Sequence, residues 1–191
     1  MSARPSVVVL AGPNGAGKST AAPALLHGAL QVDEFVNADT IARGLSAFNP
    51  ESAAIAAGRV MLARLDALAA GRATFAFETT LASRSFAPWL KKLAESGYAV
   101  HLLFLWLSSP ELAIERVADR VASGGHDIPA EVVRRRYRAG LRNFFTLYRS
   151  LAMWRFYDLS GETPRAIGKR LASGGDLIYD EIMWARLSAH Y

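Results

Sequence analysis

A three-layer α/β fold, with a parallel five-stranded sheet, helices on both faces and an arginine-rich lid, is predicted by three observations. Short apolar runs alternate with stretches of helical spacing along the chain, which is the pattern of a sheet covered by helices on both sides. The first apolar run leads straight into a glycine-rich loop, Gly-Pro-Asn-Gly-Ala-Gly-Lys-Ser-Thr at 12–20. Seven arginines crowd the segment from Glu115 to Arg142, on either side of Gly124-Gly125.

The first strand is Ser6 to Ala11, and the loop after it is a complete P-loop. The loop residues Gly12, Pro13, Asn14, Gly15, Ala16 and Gly17 wrap a phosphate chain at the positive end of the following helix, all but the proline through a backbone N–H. Lys18 reaches the β- and γ-phosphates, and the Ser19 hydroxyl suits a Mg²⁺ bridging them, with Thr20 completing the motif. A P-loop NTPase fold that binds a nucleoside triphosphate follows. The helix runs from Lys18 to Gly28, and Pro23, which lacks a backbone donor, predicts a distortion early in it.

The second strand, Glu34 to Ala38, delivers Asp39 to the carboxyl end of the sheet, the side on which ligands bind. There a carboxylate can take the proton of an attacking hydroxyl; the competing role is a cap on a helix starting at Thr40. A helix from Pro50 to Ala70 ends at Gly71, and the third strand, Thr74 to Glu78, ends on an acid placed to hold a metal shell or an acceptor's hydroxyls. Thr79 and Thr80 add hydroxyls beside Glu78. The helix Phe86 to Ser96 closes at Gly97, and the fourth strand is Ala99 to Leu107.

Ser109-Pro110-Glu111 supplies a cap, a first-turn proline and a first-turn acid for a helix over Pro110 to Val121. The lid is expected over about 116–138. Arg116 and Arg120 share a helix face, His126 sits at the glycine hinge, and Arg134, Arg135, Arg136, Arg138 and Arg142 lie on the helix Pro129 to Tyr148. Arginines lowered over a moving phosphoryl group neutralise its spreading charge and exclude water. Three consecutive arginines point in different directions, so at most one or two of 134–136 reach a ligand. The fifth strand is Arg155 to Leu159, and a last helix is expected from Leu177 to Ser188.

Composition narrows the remainder. The 191 residues fit one domain, 1–191, and the lack of cysteine removes disulfides, thiolate zinc sites and thiol nucleophiles. The amino-terminal residues run directly into the first strand without a signal peptide, and the longest apolar run, Leu102 to Leu107, is too short to cross a bilayer. A cytoplasmic location without a membrane role is expected. The net charge of +5 comes from 18 Arg and 4 Lys. A basic helix with Tyr137, Phe144 and Phe145 could bind RNA, but those rings recur at helical spacing and are expected to pack inward. Nucleic acid is therefore not an expected partner. Trp89, Trp106, Trp154 and Trp184 read as core or adenine-side packing.

Six segments in order, GPNGAGKST, NADTIA, FETT, LSSPELAIERVADRV, SGGHDIPAEVVRRRY and WRFYDLSG, resemble the zeta-toxin family of P-loop kinases over nearly the whole chain. The resemblance implies ATP- and Mg²⁺-dependent phosphorylation of UDP-N-acetylglucosamine or a similar metabolite at a hydroxyl. It implies Lys18 and Ser19 for ATP and Mg²⁺, Asp39 as base, and Glu78 with Thr80 on the sugar nucleotide. It implies Arg116 as a phosphate-clamping arginine, with His126, Arg120 or Arg135 as the second. A nucleoside, an antibiotic or a sugar acid is the alternative acceptor, and an RNA-binding ATPase switch a more distant one. Family members also pair with a small helical antitoxin on a separate chain.

Overall fold

The computed structural model describes residues 4–125, 127–189 and 191. Among them, seven strands form one sheet: β1 (Ser6–Ala11), β2 (Glu34–Val36), β3 (Phe75–Thr79), β4 (Ala99–Trp106), β5 (Met153–Asp158), β6 (Arg165–Arg170) and β7 (Asp176–Ile178). Their order is β2-β3-β1-β4-β5-β6-β7. The first five run parallel. β6 and β7 then extend the sheet antiparallel, which corrects the expected five-stranded parallel sheet to a mixed one of seven strands. The sequence hides β6 because Arg-Ala-Ile-Gly-Lys-Arg buries a single large apolar side chain, Ile167. Leu177, expected to open the last helix, belongs to β7; that helix begins after Asp180, whose side chain accepts the Met183 N–H.

The helices are α1 (Lys18–Pro23), α2 (Ala38–Leu45), α3 (Ala54–Ala70), α4 (Phe86–Glu95), α5 (Pro110–Ala122), α6 (Ala130–Asn143) and α7 (Glu181–Ser188). Pro23 ends α1, and the chain continues as a π-helical stretch over Ala24–Leu30. A second such stretch, Phe144–Tyr148, follows α6. No helix among the described residues is long and apolar enough to cross a membrane.

β1 and β4 lie centrally and are buried on both faces, as continuous Val/Leu/Phe runs in parallel sheets require. One aromatic cluster closes the core beyond β4: Phe104, Phe144, Trp154, Phe156 and Trp184 pack ring to ring, with Trp154 and Trp184 stacked at 5.1 Å. Trp89 packs against Phe75, Phe77 and Phe86 on the other side. Trp89, Trp154 and Trp184 thus serve the core.

α6 holds the turn after β3 in place. The Asn143 amide donates to the carbonyls of Leu81 and Ala82, and the Tyr148 hydroxyl donates to Ser83. Burial pushes the Tyr148 phenol up to about 12, so it stays a donor across the physiological range. Gly140 makes this closeness possible, since a Cβ there would lie 2.2 Å from the Thr80 carbonyl oxygen. Gly140→Ala is expected to destabilise the protein by about 1–3 kcal/mol, the range for overpacking a tight contact, with a lowered urea midpoint as the readout.

Candidate active site

The P-loop leaves β1 through Gly12, at φ +141°, where a side chain would also run into the Leu105 carbonyl 2.0 Å away. Only glycine fits this exit. The loop closes on Lys18, which is 5% exposed and whose Nζ donates to the carbonyls of Gly12 and Pro13 at 2.9 and 2.8 Å. Glu78 Oε1 lies 3.5 Å from the same ammonium. Burial lowers the lysine pKa, Glu78 and Asp39 oppose that shift, and Arg120 adds to it.

Glu78 is shared between three neighbours. Its Oε2 accepts from the Ser19 hydroxyl and from the Asn37 amide, each at 2.8 Å. Asn37 uses its other side-chain atom to cap α2, with Oδ1 accepting the N–H groups of Asp39 and Thr40. The cap on α2 is therefore Asn37. Asp39, in the first turn of that helix, is exposed.

Two cavities meet at these residues. One, of about 370 Å³, is lined by Asn14, Gly15, Gly17, Lys18, Ser19, Thr20, Arg116, Asp119 and Arg120, together with Asp39 and Glu78. The other, of about 340 Å³, runs from Asn37 and Asp39 past Thr79, Thr80 and Ser83 to Phe86 and Arg136. Asn14, Lys18, Asp39 and Glu78 border both. The buried Oδ1 of Asn14 lacks a hydrogen-bond partner among the described residues and stands at this junction. Ser19 Oγ and Glu78 Oε2 form a pair of hard oxygen donors, the chemistry Mg²⁺ selects. No group of three or more His, Cys, Asp or Glu among the described residues could hold a metal. An ion at Ser19 would thus take its remaining ligands from phosphate and water, as Mg²⁺ commonly does.

The arginines expected to form a lid divide. Arg116 lines the first cavity and donates to the Ser160 carbonyl at 3.1 Å, tying α5 to the turn after β5. Arg120 lines the same cavity. Arg134 is turned aside to Glu111 and Glu131. Arg135 is exposed and borders neither cavity, whereas Arg136 lines the second and interacts with Asp39. The signal for Arg136 was its phase: it lies three residues after Val133 and four before Gly140, on the flank of the buried stripe. Asp119 and Asn37 were also missed, the latter because its capping role shows only once α2 is seen. His126 lies outside the described residues.

Residues 7–147 match the AAA domain family AAA_33. An uncharacterized protein of Haemophilus influenzae is 33% identical over 126 residues, 66% of this chain and 88% of that protein. Among solved structures, a chain of the AvrRxo1-ORF1:AvrRxo1-ORF2 complex with ATP superposes with a TM-score of 0.76 at 16% identity, over 97% of this chain. The present chain spans 64% of its length. A chain of the PezAT chromosomal toxin-antitoxin system of Streptococcus pneumoniae gives 0.68 at 15% identity, over 96% of this chain and 78% of that one. A gluconokinase from Sinorhizobium meliloti gives 0.54 at 19% identity, over 83% and 84%. The fold is thus one that kinases and a toxin–antitoxin system also use, and, on the match over residues 7–147, the chain belongs to the AAA_33 family of AAA domains.

Proposed function

We propose that the protein is an ATP-dependent phosphotransferase that moves the γ-phosphate of ATP to a hydroxyl of a small molecule, with UDP-N-acetylglucosamine or a similar metabolite as acceptor. The observation that carries this reading is the pair of cavities sharing Asn14, Lys18, Asp39 and Glu78. A nucleotide switch needs one chamber, and a transferase needs two that meet at the reacting phosphate.

In this reading the P-loop cavity holds the triphosphate, Lys18 leaves its loop carbonyls for the β- and γ-phosphates, and Arg116 and Arg120 take up the charge that spreads over the moving group. Asp39 accepts the acceptor's proton as its oxygen attacks the γ-phosphorus, and the bond from that phosphorus to the bridging oxygen breaks to release ADP. Mg²⁺, when bound, would supply charge withdrawal from the phosphates, and Ser19 with Glu78 behind it would hold the ion. Thr80 and Arg136 orient the acceptor on the far side of Asp39. The lid, over about 116–138, would close over both chambers. The gluconokinase and the ATP complex among the structural neighbours agree with this chemistry. The toxin–antitoxin neighbour agrees with a separate antitoxin chain as partner.

The test is mass spectrometry of UDP-N-acetylglucosamine incubated with the protein, ATP and Mg²⁺. A product heavier by one phosphoryl group is expected. No product from this acceptor, with ATP turnover stimulated by a different metabolite, would retain the transferase and reject the acceptor.

A further inference from the structure

The face of β5, β6 and β7 turned away from the aromatic cluster carries a charge arrangement that folding alone disfavours. Arg155 and Lys169 are direct cross-strand partners in the antiparallel β5–β6 pair. Both line one shallow cavity of about 240 Å³, so their side chains share the open face. Like charges placed directly opposite destabilise a sheet. Neither has an ion-pair or hydrogen-bond partner among the described residues, whereas nearby Arg149 is paired with Asp176 and Arg165 with Asp158 and Asp180.

The polar character of this face continues beyond this pair, without further positive charge. His101 on β4 is the register partner of Met153, two residues before Arg155 and therefore on the same face. It is half-buried, and burial together with the Arg155 and Arg4 guanidiniums holds its imidazole below the ordinary histidine value. Two aromatic rings border the cations, Tyr157 and Tyr179, and Lys169 Nζ sits 5.9 Å from the Tyr179 centroid. The face thus carries two opposed cations on adjacent strands with a tyrosine ring beside each.

We propose that this face binds a segment of single-stranded nucleic acid, with phosphates along Arg155 and Lys169 and bases against Tyr157 and Tyr179. Repeated negative charge at backbone spacing relieves the opposed cations, and tyrosine rings give sequence-tolerant stacking. Two of the α6 arginines that suggested RNA in the sequence are engaged elsewhere. Arg134 is held by acids and Arg136 turns toward Asp39.

The test is fluorescence anisotropy with a labelled oligouridylate of about ten nucleotides, over a series of salt concentrations. Wild-type protein is expected to bind with an affinity that falls with salt. The variant carrying Arg155→Glu and Lys169→Glu should lose about tenfold or more, and its slope of log affinity against log salt should shrink by about 1.4, at about 0.7 per lost phosphate contact. Lys169→Glu alone replaces a repulsive pair with an attractive one, so its melting temperature should match or exceed wild type while its affinity falls. Lys169→Gln is the milder companion and should lie between the two. Unchanged affinity in the variants would overturn the proposal. So would competition at equal charge concentration by a glutamate-rich peptide, which would mark an acidic protein surface as the occupant, or by uridine monophosphate, which would mark a mononucleotide site. ATP-dependent transfer is expected to be unaffected in all of them.

Discussion

Asp39→Asn is expected to slow phosphoryl transfer by about 10²–10⁴-fold, the usual worth of a positioned general base, while ATP binding survives. Its position explains the separation. Asn37 caps α2, so removing the charge at Asp39 leaves the helix start intact. The P-loop donors are likewise untouched, whereas the shared border of the two cavities loses one of the two carboxylates it has among the described residues. Single-turnover transfer and calorimetric ATP titration of the same preparation check both halves. Turnover at the wild-type rate would remove Asp39 from the chemistry.

Lys18→Met should lower kcat by about 10²–10³-fold, comparable to deleting one preorganised charge stabiliser, and weaken ATP binding as well. A second signature separates this from general damage. Burial lowers the Lys18 pKa below its ordinary value of 10.5. In the window between the folded value and 10.5 the unfolded chain therefore binds the extra proton and the folded one does not. Stability of the ligand-free protein then rises with pH through that window, and falls back as pH drops through the folded value. Urea unfolding of wild type and Lys18→Met across alkaline pH should show this slope in wild type and lose it in the variant. An identical slope in both would mean that the lysine stays fully charged beneath the P-loop.

Much of this site was legible because its residues announce themselves locally. The P-loop is a continuous motif, and Asp39 and Glu78 each close an apolar strand, so periodicity alone put them at one end of the sheet. What stayed hidden depends on partners distant in the chain. Asn143, which grips the turn 62 residues before it, is one polar residue on a mostly basic helix until β3 is in place. Arg136 and Arg135 are chemically the same, and the stripe formed by Val133, Tyr137 and Gly140 separates them. β6 is a strand because β5 offers it an edge and α7 covers one side; its own six residues carry little strand preference. The second strand ran two residues short of expectation because Asn37 already turns into the cap of α2.

The aromatic cluster has a consequence for how the chain reaches this state. Phe104 and Phe144 lie within the family-matched residues 7–147, but Trp154, Phe156 and Trp184, which they pack against, come after them. During synthesis the P-loop, Asp39 and Glu78 thus emerge well before the rings that seal β4 from water. Until β5 pairs and α7 arrives, β4 is a long apolar sheet edge, the kind that invites mispairing. The P-loop strand is thus made before the strand and helix whose rings close the core beside β4.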